Sequence, residues 1–365
     1  MYFASPNLSW LDAVISRKKL FSDEFSQHLR TARSCDCALP YPTMSTGSAA
    51  FKLTLGDQRV LREDEHHVAF LDPTPNLGGA TVVMCKDQQA KDLWTLTDEQ
   101  FVGLMLATKQ IAQHVAAKLK VRRCAMVANS KVRGHAHTLI LPLDSLGEKW
   151  APVLAEEMAF STVYPGYVTT KSGPRAEDSI LDDVQSRILQ ANQCNLPDND
   201  EASQSHPQFS PDTTFYGEAS DDNLFARIVR GELQQWRVWE DRDHVAFLTP
   251  FPNTLGYTVV VPRTHLSSDI FSLPTNDYIK LLQCAKTVGM LIRKGLNTEG
   301  FAIVCEGMEI DYAHVKVIPV HATSASMEPV EPMYMERYPG FVTSRPGPPV
   351  SVDYLDSIES LLKMQ

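Results

Sequence analysis

The chain has 365 residues, of which 43% are hydrophobic and 21% are charged, and its net charge is -10. This length is sufficient for two domains that each bury a core, and the composition is that of a globular protein without collagen-like or coiled-coil bias. The acidic balance argues against general nucleic-acid binding, and no apolar run reaches the roughly 18 to 20 residues that span a bilayer.

The first residues and the cysteines indicate a reducing compartment. The amino-terminal stretch MYFASPNLSWLDAVISRKKL contains an acidic residue and no continuous apolar core, unlike a secretory signal. The seven cysteines are an odd number scattered along the chain, which argues against a disulfide framework. We therefore expect a protein of the cytoplasm or the nucleus that has no membrane partner.

Patterns along the chain predict an α+β fold. Residues 1–45 contain an amphipathic stretch that predicts an outer helix. Residues 97–120 have apolar residues at helical spacing and begin with the helix-start pair Thr97 and Asp98. Short β-branched segments before and after this helix predict five strands, at 59–64, 66–72, 80–85, 124–129 and 136–143. This order predicts an antiparallel sheet with a long helix on one face.

Nearly the same unit is written twice. A shift of 177 residues aligns HHVAFLDPTPNLGGATVV with DHVAFLTPFPNTLGYTVV, and GHAHTLILPL with DYAHVKVIPV. A shift of 174 aligns YPGYVTTKSGP with YPGFVTSRPGP, and SILDDVQSRIL with DYLDSIESLLK. Four matched blocks in the same order indicate a tandem duplication. We call residues 46–189 the first copy and residues 221–365 the second copy, and we interpret the polar residues 190–220 as a linker.

The strand HAHTLILP carries two histidines on one face, because side chains alternate along a strand. These are His135 and His137, and the second copy has Tyr312 and His314 in their places. Only the second of these two positions is therefore a histidine in both copies, and we call His137 and His314 the middle histidines. A single strand histidine is usually a partly buried structural residue, and two imidazoles on one face also suit zinc. Structure, metal binding and catalysis are all compatible with this pattern by itself.

The blocks FARIVRGEL, EDRDHVAFLTPFPNTLGYTVVVPRTH, a long helix and AHVKVIP resemble the histidine triad (HIT) superfamily, over about 100 residues of each copy. The resemblance implies a histidine that attacks the α-phosphorus of a nucleotide and forms a transient nucleotidyl-histidine. His137 and His314 match this position, and His135 matches the residue that orients the nucleophile. We expect a nucleotide hydrolase or nucleotidyltransferase, with a non-catalytic nucleotide-binding or scaffold protein as the alternative.

The resemblance also implies nucleotide contacts by Asp72 at the ribose and by Asn129, Arg133 and Lys316 on the phosphate side, with Lys131 as a further source of charge. The third histidine of the family is absent from both copies, which have Leu139 and Lys316 there. Leu139 can neither donate a hydrogen bond nor protonate a leaving group. The related galactose-1-phosphate uridylyltransferases have Gln at this position, so its loss is compatible with transfer chemistry.

The family commonly forms two-fold dimers, so the duplication implies a monomeric pseudo-dimer with one antiparallel sheet of about ten strands. We expect no resident cofactor and assign no metal ligand. The alternative is zinc held by Cys35 and Cys37 with the histidine pair. His67 and His244, which precede VAF in each copy, are predicted to be structural, as is the repeated YPG block.

Overall fold

The computed structural model describes residues 58–87, 89–129, 134–193, 211–323 and 329–364. The predicted helix within residues 1–45 lies outside these ranges, as do Cys35, Cys37, Lys131 and Arg133. Among the helices in the described ranges, none combines the length and the apolar character needed to cross a membrane.

The first copy contains a helix and five strands close to the predicted segments. The helix, α1, spans Asp98–Leu119 and begins at a capping box in which Thr97 and Gln100 exchange side-chain to backbone hydrogen bonds. The strands are β1 (Val60–Glu63), β2 (His67–Leu71), β3 (Thr81–Cys85), β4 (Cys124–Ala128) and β5 (His137–Pro142). Each boundary lies within one residue of its predicted position.

The remaining elements follow in the same pattern. After helix α2 (Asp178–Gln193), the second half contains α3 (Leu224–Val229), β6 (Trp236–Glu240), β7 (His244–Leu248), β8 (Thr258–Pro262), a 3-10 turn at Ile270–Ser272, α4 (Thr275–Leu296), β9 (Gly300–Cys305), β10 (Val315–Val320) and α5 (Val352–Leu362). Helix α2 continues four residues beyond the predicted boundary at 189, because Ile188 and Ala191 are both buried.

All ten strands form one antiparallel sheet in the order β1-β2-β3-β5-β4-β9-β10-β8-β7-β6. The two halves meet at the centre, where β4 pairs with β9 through Met126 and Cys305, Val127 and Val304, and Ala128 and Ile303. The predicted continuous antiparallel sheet is therefore confirmed. The division of the chain into two domains at the predicted boundaries stays a prediction.

The two faces of the sheet differ in what they carry. Ala136 and Ile140 of the β5 segment belong to the apolar core beneath the long helices, and Thr138 lies 2.7 Å from Thr108 of α1, measured between the hydroxyl oxygens. Because side chains alternate, His137 and Leu139 point to the opposite face. The candidate histidines are thus separated from the helix layer by the sheet itself.

The last helix of each copy, α2 or α5, packs on the long helix of the other copy. Helix α2 packs against α4, where a Cβ added at Gly295 would lie 2.8 Å from the Cα of Ile188. Helix α5 packs against α1, where Nε2 of His114 lies 2.9 Å from the carbonyl oxygen of Leu362. The two halves therefore exchange their last helices.

Candidate functional site

The middle histidines have the same hydrogen-bond geometry in both copies. Nδ1 of His137 lies 2.8 Å from the carbonyl oxygen of His135, and Nδ1 of His314 lies 2.7 Å from that of Tyr312. A carbonyl oxygen only accepts, so Nδ1 carries the proton in each neutral ring. Nε2 then carries the lone pair, which is the arrangement that a nucleophilic imidazole requires.

His135 and Tyr312, two residues before the middle histidines, make corresponding hydrogen bonds although they are different residue types. Nε2 of His135 lies 2.9 Å from the carbonyl oxygen of Cys85, and the hydroxyl of Tyr312 donates to the carbonyl oxygen of Pro262 at 2.7 Å. Cys85 and Pro262 end the corresponding strands β3 and β8. His135 and Tyr312 therefore both tie the start of the histidine strand to its neighbour, which explains how a tyrosine can replace the first histidine.

The third position of the pattern differs most between the copies. Leu139 is buried, at 6% exposure, and offers no polar group. Lys316 is also buried, but its ammonium group donates to Glu306 at 2.7 Å. Its charge is thus already balanced by a protein carboxylate. Contact between Lys316 and a nucleotide phosphate stays a prediction, and such a contact would compete with Glu306.

Asn129 corresponds to Glu306 by the shift of 177 residues. Both side chains are buried. The Asn129 amide donates to the hydroxyl of Tyr164 at 3.4 Å, whereas the Glu306 carboxylate accepts from the hydroxyl of Thr170 at 2.7 Å and from Lys316. Sequence reasoning missed Glu306. A difference between the copies could have identified it: Asn129 and Leu139 are uncharged, whereas their counterparts Glu306 and Lys316 carry opposite charges.

His314 is enclosed on the face of the sheet opposite the long helices α1 and α4. Its ring centroid lies 5.2 Å from that of Phe225 of α3, and its side chain is 2% exposed. Burial, together with the positive charge of Lys316, lowers the pKa of His314 to about 4. His314 is therefore neutral at physiological pH. His137 is also buried, at 3% exposure, and the first-copy counterpart of Phe225, Ser48, lies outside the described residues.

Asp72 lies in the loop that follows β2, where its Oδ1 accepts from the backbone N–H of Thr74 at 3.0 Å and from the Thr74 hydroxyl at 3.2 Å. In the second copy the Thr249 hydroxyl accepts from the backbone N–H of Phe251 at 3.2 Å. Both side chains therefore fix the turn that follows their strand. Leu71 pairs with Thr81 of β3, and Thr81 pairs with Ile140 of β5. Ile140 lies three residues beyond His137 along β5. Asp72 and the histidine thus lie at different ends of the strands.

The repeated YPG segments meet one another and cross to the opposite halves. Thr169 and Thr343 form an antiparallel bridge. The Asn253 amide donates to the carbonyl oxygens of Thr169 and Lys171, at 2.6 and 2.9 Å, and the Asn76 amide makes the corresponding bonds to Thr343 and Arg345 at 2.7 and 2.8 Å. The segments therefore hold the loops that follow β2 and β7, and one of them supplies Thr170 to Glu306. The packing role predicted for them agrees with these contacts.

Two predicted components cannot be placed. Arg133 and the zinc alternative at Cys35 and Cys37 lie outside the described residues. In the first copy, His137 begins the central strand β5, His135 lies two residues before it, and Asn129 directly follows the neighbouring strand β4. In the second copy, Lys316 lies on the matching strand β10 and His314 directly precedes that strand. The two histidine strands lie on either side of the β4 and β9 pair.

The chain is similar to known proteins over part of its length. No family model matches the chain. An uncharacterized HIT-like protein of Saccharolobus solfataricus is 31% identical over 102 residues, which cover 26% of this chain and 72% of that protein. Another uncharacterized HIT-like protein, from Methanocaldococcus jannaschii, is 29% identical over 101 residues, covering 26% of this chain and 77% of that protein. Among solved structures, a galt-like protein from Arabidopsis thaliana has 10% identity and a TM-score of 0.42, covering 80% of this chain and 83% of that one.

Proposed function

The chain belongs to the HIT-like family, and on that premise we propose that it is a nucleotide hydrolase or nucleotidyltransferase whose reacting group is His137. The observation that carries the proposal is the bond from Nδ1 of His137 to the carbonyl oxygen of His135, at 2.8 Å, because it leaves the lone pair on Nε2. His135 positions this strand through its own bond to Cys85. Asp72, Asn129 and Arg133 are proposed to hold the nucleotide.

In the proposed reaction, Nε2 of His137 forms a bond to the α-phosphorus while the bond from phosphorus to the leaving oxygen breaks. Water or another acceptor then displaces the histidine, and the ring is regenerated. Leu139 cannot protonate the departing group. The site is therefore suited to leaving groups that depart as stable anions, such as the phosphate end of a nucleoside polyphosphate, and less suited to amines, which need a proton.

The second copy is proposed to support the first. His314 has the same ring orientation, but Glu306 neutralises Lys316 and Phe225 covers the ring. We therefore assign His314 a weaker catalytic role or none. The two copies are proposed to be HIT-like domains produced by tandem duplication and joined as a pseudo-dimer within one chain, because corresponding strands flank the β4 and β9 pair in mirrored order.

The test compares turnover of nucleoside polyphosphates and nucleoside phosphoramidates by wild type, His137→Ala, His314→Ala and the double variant. We expect His137→Ala to abolish turnover and His314→Ala to retain most of it. Quenching in alkaline denaturant, in which the phosphorus–nitrogen bond survives, with a nucleotide labelled at the α-phosphorus should trap a nucleotidyl adduct on wild type and on His314→Ala but not on His137→Ala. His66→Ala, at an exposed position, is the matched control. Unchanged turnover in the double variant would eliminate the proposal.

The alternative function is nucleotide binding without catalysis. The burial of His137 and the apolar Leu139 favour it, because a nucleophile must reach its substrate and a leaving group gains no proton there. Calorimetric titration with adenine and guanine nucleotides distinguishes the two functions. Binding by wild type without turnover and without a trapped adduct would select the alternative.

A further inference from the structure

Three side chains of different type converge near the turn between β6 and β7, on the helix face of the sheet. Nδ1 of His244 lies 3.4 Å from Oδ2 of Asp241, Sγ of Cys284 lies 3.4 Å from the same oxygen, and Sγ and Nδ1 are 3.3 Å apart. Within the described ranges, this is the group of three His, Cys, Asp or Glu residues whose ligand atoms all lie within 4.8 Å of one another.

These distances match the edges of a metal coordination tetrahedron. Zinc binds sulfur at about 2.3 Å and nitrogen or oxygen at about 2.0 to 2.2 Å, so neighbouring ligand atoms in a tetrahedral site are roughly 3.3 to 3.6 Å apart. The triangle formed by Asp241, His244 and Cys284 falls close to that range. A thiolate, an imidazole and a carboxylate are all ligands that zinc accepts, whereas magnesium and calcium prefer oxygen alone.

The surroundings hold these atoms in place and leave one direction open. Oδ1 of Asp241 accepts from the backbone N–H groups of Asp243 and His244, at 2.8 and 2.5 Å, which fixes the orientation of the carboxylate. Lys280 is bonded to Asp243 at 3.2 Å. His244 and Cys284 are buried, but the Asp241 side chain is 40% exposed. A fourth ligand can therefore approach from solvent beside Asp241.

The first copy provides an internal comparison. Asp64, His67 and Ala107 correspond to Asp241, His244 and Cys284 by the shift of 177 residues. Nδ1 of His67 lies 3.5 Å from Oδ1 of Asp64, so the acidic residue and the histidine are retained as a pair. Ala107 has no ligand atom, and a small cavity lined by these three residues lies where the second copy has its thiol. The two copies therefore differ in the one residue that completes a set of three ligands.

We propose that Asp241, His244 and Cys284 bind a zinc ion, with water as the fourth ligand. On binding, a bond forms between zinc and Sγ of Cys284 while the thiol proton is released to solvent, and Nδ1 of His244 donates its lone pair with the ring proton on Nε2. The ion would join the turn between β6 and β7 to α4. This role differs from the purely structural one that the sequence predicted for His244, and it is independent of the reaction proposed at His137.

The test uses the full chain and the metal alone. Cobalt(II) is titrated into the apo protein, and thiolate-to-cobalt charge-transfer absorption is recorded, followed by displacement with zinc and measurement of bound zinc after dialysis. We expect Cys284→Ala to lose this absorption and one equivalent of zinc, and Asp241→Asn to weaken binding. Cys284→Ala is a mild change because the first copy has alanine at the same position. Circular dichroism verifies that each variant is folded.

Two matched variants make the assignment specific. Cys35→Ala combined with Cys37→Ala removes the other candidate thiols, and the signal that depends on Cys284 should persist. Ala107→Cys places a thiol beside Asp64 and His67, and it should add a second equivalent of metal. The proposal is overturned if wild type and Cys284→Ala have the same cobalt spectrum and zinc content, which would leave the three residues as a hydrogen-bonded cluster.

Discussion

At the scale of single residues, one pair of positions is neutral in the first copy and ionic in the second. Asn129 and Leu139 correspond to Glu306 and Lys316, which form a buried pair at 2.7 Å. Such a pair is stable only while both partners are present, because removal of one leaves a buried charge without compensation. The two members of the pair are thus expected to be replaceable together but not separately.

We expect Lys316→Leu alone to lower the free energy of unfolding by about 3 to 5 kcal/mol, because it strands the Glu306 carboxylate. Adding Glu306→Asn recreates the residues of the first copy and should restore most of the loss. Urea unfolding of wild type, both single variants and the double variant gives the coupling free energy. A double variant no more stable than Lys316→Leu would contradict the expectation.

A second prediction concerns acid stability and His314. Its pKa is lowered to about 4 in the folded protein by burial and by Lys316, against about 6.5 when unfolded. Between these values the unfolded state binds more protons, so stability is lost as pH falls through this window. The loss attributable to this residue between pH 7 and pH 5 is about 2 kcal/mol. His314→Gln should therefore show a shallower decline in unfolding free energy over that interval.

The control for this measurement is His66→Gln, because His66 is exposed. Its pH dependence should equal that of wild type, whereas His314→Gln should differ from both. Equal slopes for all three proteins would mean that His314 is protonated in the folded state over the same range as in the unfolded chain, and the prediction would be wrong.

The candidate residues could be predicted from the sequence because the unit is repeated and its two copies can be compared. The middle histidines could be selected because His137 and His314 are shared while their neighbours are not. The hydrogen bond from each ring to the carbonyl oxygen two residues earlier could not be predicted, because it depends on the conformation of the chain before the strand. Glu306, the partner of Lys316, was missed for a related reason. It directly follows β9, whereas Lys316 lies on β10, so their contact depends on how the chain folds.

At the scale of elements, local patterns located the helices and strands well because each carries its own signal. The capping box at Thr97 and the apolar spacing of α1 are local features, and so are the β-branched segments. The pairing of β4 with β9 and the exchange of the last helices are not encoded locally, because they depend on which surfaces meet after the chain has folded. The resemblance to a dimeric family, rather than residue patterns, supplied the expectation of one continuous sheet.

The glycines of the YPG segments give the third prediction. A Cβ added at Gly173 would lie 1.9 Å from the carbonyl oxygen of Pro252, and one added at Gly347 would lie 1.9 Å from that of Pro75. Each contact joins a segment of one half to a loop of the other, and backbone atoms cannot move aside easily. We expect Gly173→Ala and Gly347→Ala each to lower the free energy of unfolding by about 1 to 3 kcal/mol, measured by urea unfolding.

Gly147→Ala is the matched control, because a Cβ there would lie 3.9 Å from the carbonyl oxygen of Lys149 and the residue is exposed. It should unfold with nearly the wild-type free energy. If all three alanine variants were equally stable, the segments would not be pressed against the opposite loops as described.

At the scale of the whole molecule, the described residues join the two halves at several places, three of which are large. The strands β4 and β9 pair at the centre of the sheet, the YPG segments hold the opposite loops, and the last helices pack on the opposite long helices. Each of these connections is made by described residues outside 194–210. We therefore expect the halves to stay together without a covalent link there, although such a link raises their effective concentration.

The last prediction concerns a variant in which a specific protease site is inserted between residues 194 and 210 and cleaved in the folded protein. The two pieces should remain a 1:1 complex in size-exclusion chromatography, because the paired strands and exchanged helices stay intact. Unfolding of the cleaved complex should become dependent on protein concentration, unlike that of the uncleaved chain, since separation now yields two molecules. The uncleaved insertion variant is the control for the insertion itself. Pieces that separate under native conditions would show that the central pairing, the YPG segments and the exchanged helices do not hold the halves together without a covalent link.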